Sequence, residues 1–223
     1  MQALTRNPLA EPGILGVNAG ASMAVVLGVV LAGAHDAGGY VWWALAGAAA
    51  AAAVVFLLGR GGTGPASSSG TATGGSSRLR IVLAGTALGA SLGSVTGIIT
   101  MVDSAAFDAH RFWVVGSLAG RDMATVEATA PFVLVGAVMT LILCGPLNVL
   151  LLGEDSAAAL GVRVGPVRVL ALAAITLLAG GSTALAGPVA FVGLVVPHVL
   201  RLLLGPDLRR LMPLALVAGP CLV

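Results

Sequence analysis

VLALAAITLLAGGSTALAGPVAFVGLVVPHVL, residues 169–200, runs for 32 residues without a formal charge. As one straight helix it would be about 48 Å long, well beyond the ~30 Å hydrocarbon core of a bilayer. Gly180, Gly181, Gly187 and Pro188 interrupt it near the middle. Two membrane spans joined by a tight turn at Ala186-Gly187-Pro188 are therefore expected. The split also decides topology, because it sets the side of the membrane on which Arg201, Arg209 and Arg210 emerge.

The rest of the composition agrees with a membrane body. Only 9% of residues are charged, 58% are hydrophobic, and the mean hydropathy is +1.04. A soluble domain carries about 25% charged residues. So few charges cannot cover a surface that faces water. All 11 basic residues are arginine and the net charge is +2. There is no basic run mixed with aromatics, which argues against nucleic acid as a partner. Cys144 and Cys221 do not make a disulfide framework and read as small apolar side chains.

Outward from residues 169–200, four more apolar runs are long enough to cross: residues 14–34, 37–59, 81–102 and 128–153. Together these give about six spans. A partial seventh begins at Leu211 and stops after 13 residues at Val223. The polar start, MQALTRNPLAEP, lacks the basic-then-apolar order of a signal peptide. Both ends are expected to be cut. The fold class expected is all-α: a polytopic membrane helix bundle forming one domain over residues 1–223, with short interfacial helices.

Between the runs lie polar segments. His35, Asp36, Gly38 and Gly39 form a tight turn, with Tyr40, Trp42 and Trp43 at a membrane–water interface. Residues 60–80 are rich in Gly, Ser and Thr and read as a flexible linker. A phosphate-binding P-loop there is excluded, since it needs a lysine and the chain has none. Residues 103–127 are mixed and suit an interfacial helix. Pro131 is expected in the first turn of its span, and Gly145-Pro146 should kink or end it. Residues 201–210 read as a basic loop.

Arginine orients the bundle. With residues 60–80 cytoplasmic and sides alternating, Arg6, Arg60, Arg78, Arg80, Arg163, Arg168, Arg201, Arg209 and Arg210 face the cytoplasm. Only Arg111 and Arg121 face outside.

Catalytic chemistry is not apparent. HExxH, CxxC and GxSxG are absent, and His35, His110 and His198 lie on separate segments. No metal site, cofactor site or catalytic residue is expected. His198, after Pro197, is either a functional ionisable group within the membrane or a histidine bonded to backbone freed by the proline. The four clear runs hold no Asp, Glu or Arg, which weighs against a gradient-driven carrier. Gly85, Gly89, Gly93 and Gly97 share one helix face. That face either admits a close helix neighbour or walls a pathway that must stay wide.

The remaining feature is the polar island GEDSAAALGVRVGPVR, residues 153–168. Glu154, Asp155 and Ser156 suit a helix N-terminus, alanines propagate it, and Gly161 stops it. A two-turn helix is expected on the arginine-rich side. From its residues alone it is either a capped loop or a surface on which a partner pushes.

Three segments carry a resemblance: RNPLAEPGILGVNAGAS (residues 6–22), LLGEDSAAALGV (151–162) and AGPVAFVGLVVPHVLRLLLGPDLRRLMP (186–213). RLRIVLAGTALGAS (78–91) and FWVVGSLAG (112–120) follow more loosely and in the same order. As a set they resemble the permease family that imports iron–siderophore complexes, haem and corrinoids. Arg6, Asn7, Pro8, Gly187, Pro188, Pro197, His198 and Arg201 belong to the matching motifs.

The resemblance implies a multi-pass permease subunit of a binding-protein-dependent ABC importer in the cytoplasmic membrane. It implies a second permease chain, an extracytoplasmic substrate-binding protein, and two ATPase subunits on the cytoplasmic face that hydrolyse the ATP. It implies that Gly153, Glu154, Asp155, Ala158, Leu160, Gly161 and Val162, within a coupling segment of residues 153–165, dock on the ATPase. Ser76, Ser77 and Arg78 then lie near the cytoplasmic gate, with Gly85, Gly89, Gly93 and Gly97 beside the pathway. The family's first two helices are absent apart from residues 1–12, its last two are missing after Pro213, and residues 60–80 are richer in Gly and Ser than usual. A gradient-driven carrier or channel, and a non-functional remnant, remain the alternatives.

Overall fold

The computed structural model describes residues 1–5, 7, 10–33, 37–60, 75–115 and 123–222. All regular structure among them is helical. A short α1 (Gln2–Thr5) and a 3-10 turn (Pro12–Leu15) precede α2 (Val17–Ala32) and α3 (Ala37–Arg60). Then come α4 (Gly75–Val102), α5 (Ser104–Val114), α6 (Met123–Leu151) and α7 (Glu154–Ala159). The order closes with α8 (Val164–Ala186), α9 (Val192–Leu204) and α10 (Leu208–Leu222). Four stretches are long and apolar enough to cross a membrane: Gly39–Leu58, Arg80–Val102, Met123–Leu151 and Val164–Ala186. α2 and α9 are shorter apolar helices. A polytopic helical bundle is the fold.

The uncharged run divides at the expected Ala186-Gly187-Pro188 turn, whereas Gly180 and Gly181 lie inside α8 and do not break it. The Gly187 N–H closes the end of α8 on the Thr183 carbonyl at 2.9 Å, and Gly187 sits at φ +81°. That conformation is open to glycine and costly for other residues.

Several expected boundaries move. The expected span over residues 14–34 is a 16-residue α2, because Gly16 at φ +72° breaks the chain after the 3-10 turn. Residues 75–80, assigned to the linker, are the first turns of α4. Ser, Arg and Leu start and carry a helix well, so the Gly/Ser bias overstated the loop. Residues 61–74 of the linker, like the His35-Asp36 turn, lie outside the described residues.

α6 begins at Met123, which leaves Pro131 two turns inside the helix rather than in its first turn. Pro146 does not end α6, which continues to Leu151. Prolines persist in helices of membrane proteins because freed carbonyls find other partners. The expected basic loop shrinks to residues 205–207: Arg201 lies in the last turn of α9, and Arg209 and Arg210 in the first turn of α10.

The chain forms two compact units. One comprises Gly13–Ala130 and Ala179–Pro188. In it α2 packs against α3, α4 and α5. Gly20 and Gly47 oppose each other so closely that a Cβ on either would strike the other's carbonyl oxygen. Ala51 and Ala24 flank the contact, so each helix presents a small-xxx-small pair. The Trp43 ring fills the notch at Gly28, 2.7 Å from where a Cβ would stand.

Polar bonds add direction within this unit. Thr183 Oγ1 donates to Asn18 Oδ1 at 3.1 Å. Ser22 Oγ and His110 Nε2 lie 2.8 Å apart, tying α5 to α2. Partial burial holds the His110 imidazole below its ordinary value. The Asp103 carboxylate caps α5 by accepting the Ala106 N–H at 2.8 Å.

The other unit comprises Met1–Pro12, Pro131–Leu178 and Val189–Val223. Here α6 meets α8 at Gly136, where Leu178 Cγ would lie 2.9 Å from an added Cβ. Residues of the N-terminal segment hold the start of α9: Glu11 Oε1 accepts the Phe191 N–H at 3.1 Å, and Gln2 Nε2 donates to the Gly193 carbonyl at 3.3 Å.

Candidate coupling helix and glycine face

After α6 the chain turns at Gly153, whose φ of 130° and ψ of 155° favour glycine. Glu154 and Asp155 stand in the first turn of α7, where acids complement the helix dipole. At the other end the Val162 N–H bonds the Ala157 carbonyl at 2.9 Å and the Gly161 N–H bonds the Ala158 carbonyl at 3.0 Å. With Gly161 at φ +81°, this is a Schellman C-cap. Six residues are too few to hold a helix alone. Capping at the C-terminus and burial of Ala157, which is 0% exposed, fix α7 in place.

A further tie was not visible in the sequence reading. Arg168 Nη2, on α8, donates to Glu154 Oε1 at 2.8 Å. The Arg168 and Glu154 side chains are 25% and 33% exposed, so water screens the pair only in part. The two acids of α7 therefore differ. Glu154 is turned onto Arg168, while Asp155 is exposed. With Asp155, Ser156, Ala158, Ala159, Leu160 and Gly161 are also exposed, and Val162 is half-buried. The outward surface is thus small and apolar, with the Asp155 carboxylate at its N-terminal end.

The four glycines on α4 also separate. Gly85 is buried, and a Cβ there would overlap the Ile14 carbonyl oxygen. Gly89, Gly93 and Gly97 face open space, with nothing within 4 Å of an added Cβ. Close approach explains the first position only. Ser76, Ser77 and Arg78 lie in the first turns of α4, and their side chains are outside the described set.

Of the motif residues, Arg6 and Pro8 lie outside the described residues, and Asn7 is exposed. Gly187 and Pro188 form the turn after α8, and Arg201 is half-buried at the end of α9. Pro197 lies inside α9 and His198 is exposed, with no hydrogen bond among the described residues. The carbonyl freed by Pro197 is that of Gly193, four residues earlier, and Gln2 fills it. The reading in which His198 serves that backbone is thereby corrected.

The FecCD transport family matches residues 1–223. The ferric enterobactin transport system permease protein FepD of Escherichia coli (strain K12) is 44% identical over 223 residues, which cover 100% of this chain and 64% of that protein. The Fe(3+)-citrate import system permease protein YfmD of Bacillus subtilis (strain 168) is 36% identical, with 100% and 63% covered. The hemin transport system permease protein HmuU of Yersinia pestis is 32% identical, with 100% and 65% covered. A solved inward-facing conformation of a metal-chelate type ABC transporter has a TM-score of 0.84 at 25% identity, covering 98% of this chain and 66% of that one. The chain spans less than two thirds of the length of the first of these curated relatives.

Proposed function

Since the chain belongs to the FecCD transport family, we propose that it is the membrane-spanning permease subunit of an ABC importer that moves a metal chelate inward. It is a multi-pass protein of the cytoplasmic membrane. The cargo class is an iron–siderophore or related chelate. Support comes from relatives named for ferric enterobactin, ferric citrate and hemin transport. ATP hydrolysis belongs to partner subunits. An extracytoplasmic binding protein delivers the cargo, and a second permease chain completes the pathway.

The observation that carries the reading is α7. It is a short helix with a fixed C-cap, a buried anchor at Ala157 and a tie to α8, yet its outer surface is exposed. Such a body transmits a push without bending. The ATPase acts on it by binding two states of the permease with different affinity. Moving an equilibrium from 1:99 to 99:1 needs a differential of about 5.5 kcal/mol. Gly153, Glu154, Asp155, Ala158, Leu160, Gly161 and Val162 form this coupling surface, within the segment of residues 153–165. Residues 61–74, between α3 and α4 in the sequence, serve as the cytoplasmic connection. Gly89, Gly93 and Gly97 wall the pathway, where a wide, weakly sticky surface suits bulky chelates.

Asp155→Arg and Ala158→Phe test this reading, since both positions are exposed and neither is an anchor. In membranes holding the ATPase and the binding protein, uptake should fall about tenfold or more. Membrane abundance should stay normal and ATP hydrolysis should continue. Wild-type uptake in both variants, or uptake that persists without the ATPase, would overturn it.

A further inference from the structure

Asn148 lies in the last turns of α6, three residues before that helix ends at Leu151 and the chain turns into α7. Its amide is used at both ends. Nδ2 donates to Asp207 Oδ1 at 2.6 Å, and Oδ1 accepts the Leu208 N–H at 3.0 Å. The same Asp207 oxygen accepts the Arg209 N–H at 3.0 Å. Asp207 is thus the N-cap of α10, and Asn148 supplies a second cap from another helix.

The amide can be placed in only one sense. A carboxylate only accepts and a backbone N–H only donates, so reversing the amide would lose both bonds. Arg209 adds a third point of contact. Its Nη2 lies 3.5 Å from where a Cβ of Gly145 would stand, over the bare backbone of α6. Leu208 and Leu211, beside it in the first turn of α10, are buried. The backbone N–H of Arg209, then the Asn148 amide, hold the Asp207 carboxyl below its ordinary range, so it is ionised near neutral pH.

We propose that Asn148 and Asp207 form a transmission clamp, which passes displacement of α7 through the end of α6 into the start of α10. The inference rests on α7 being the surface that the ATPase moves. α6 and α7 are joined by two residues, so α7 cannot shift without loading the last turns of α6. At that point α6 is bonded to the residues that connect α9 to α10. Asn148 and Asp207 are positioning residues: they touch neither the cargo nor the nucleotide.

The bonding pattern supplies its own test. Asn148→Asp sets two carboxylates against each other and removes the donor. Asp207→Asn keeps an acceptor for the Arg209 N–H and for Asn148. Uptake and ATP hydrolysis are measured together in membranes holding the ATPase and binding protein, and expressed as cargo moved per ATP. Asn148→Asp should lower this ratio about tenfold at unchanged abundance, whereas Asp207→Asn, which keeps both bonds, should stay within about threefold of wild type. A merely structural bond would instead change abundance and leave the ratio alone.

Asp155→Arg, run beside them, separates the two ideas. If it uncouples while Asn148→Asp does not, or if Asp207→Asn uncouples as fully as Asn148→Asp, the clamp is refuted and the proposed function stands. If Asp155→Arg and Ala158→Phe both leave the ratio at wild type, the reading of α7 falls and the clamp falls with it.

Discussion

Four glycines at equal spacing on α4 differ in what they meet. Adding a methyl at Gly85 drives it into the Ile14 carbonyl oxygen. Backbone must move to admit it, and overpacking of this kind costs about 1–3 kcal/mol. At Gly93 the methyl meets nothing within 4 Å, and alanine in a helix interior gains roughly 0.5–1 kcal/mol over glycine. Thermal unfolding in detergent should therefore move in opposite directions: lower for Gly85→Ala, level or higher for Gly93→Ala. Equal shifts would remove the close α4 contact. The spacing of these glycines could be read from the sequence, but their neighbours could not. Conversely, the sequence does not pair Gly20 with Gly47, which lie 27 positions apart, each with an alanine completing its small-xxx-small pair. Glu154 and Asp155 looked alike for the same reason, until Arg168 chose one of them.

Helix ends show where sequence reading works and where it stops. α8 ends at Gly187-Pro188, and both causes are local: a left-handed glycine and a residue without an N–H. The stop of α7 at Gly161 is legible on the same grounds. The start of α9 is not. Phe191 sits at φ +70°, a conformation that costs an L-residue about 1–2 kcal/mol. What holds it there is Glu11, 180 positions earlier. Gln2 likewise serves the carbonyl that Pro197 frees. Opposite effects on stability follow. Phe191→Gly keeps the N–H and relieves the strain, so it should stabilise by about 1 kcal/mol. Glu11→Ala removes the acceptor and should destabilise by about 1 kcal/mol. Unfolding midpoints of the two variants check this, and a loss of stability in Phe191→Gly would contradict the strain.

Orientation is the property on which the placement of α7 depends, and it is borne by the arginines as a set. Arg60 ends α3, Arg80 is in the first turns of α4, and Arg163 and Arg168 flank the start of α8. Arg201 is in the last turn of α9, and Arg209 and Arg210 open α10. Arg111 alone of the described arginines lies between α4 and α6. If spans alternate sides, every member of the larger group falls on one face, which the positive-inside bias makes cytoplasmic. α2 and α9, at 16 and 13 residues, are shorter than the ~20 that cross a bilayer. The arginines favour crossing all the same, because a non-crossing α9 would move Arg201, Arg209 and Arg210 outside. Labelling decides it. With Cys144 and Cys221 replaced by alanine, single cysteines at Ser69, Ala159 and Ser104 are treated with a maleimide that does not cross membranes. Ser69→Cys and Ala159→Cys should react in inside-out vesicles and not in right-side-out ones. Ser104→Cys, on the exposed start of α5, should do the reverse. Reaction of Ala159→Cys from the outside would place α7 where no ATPase can reach it.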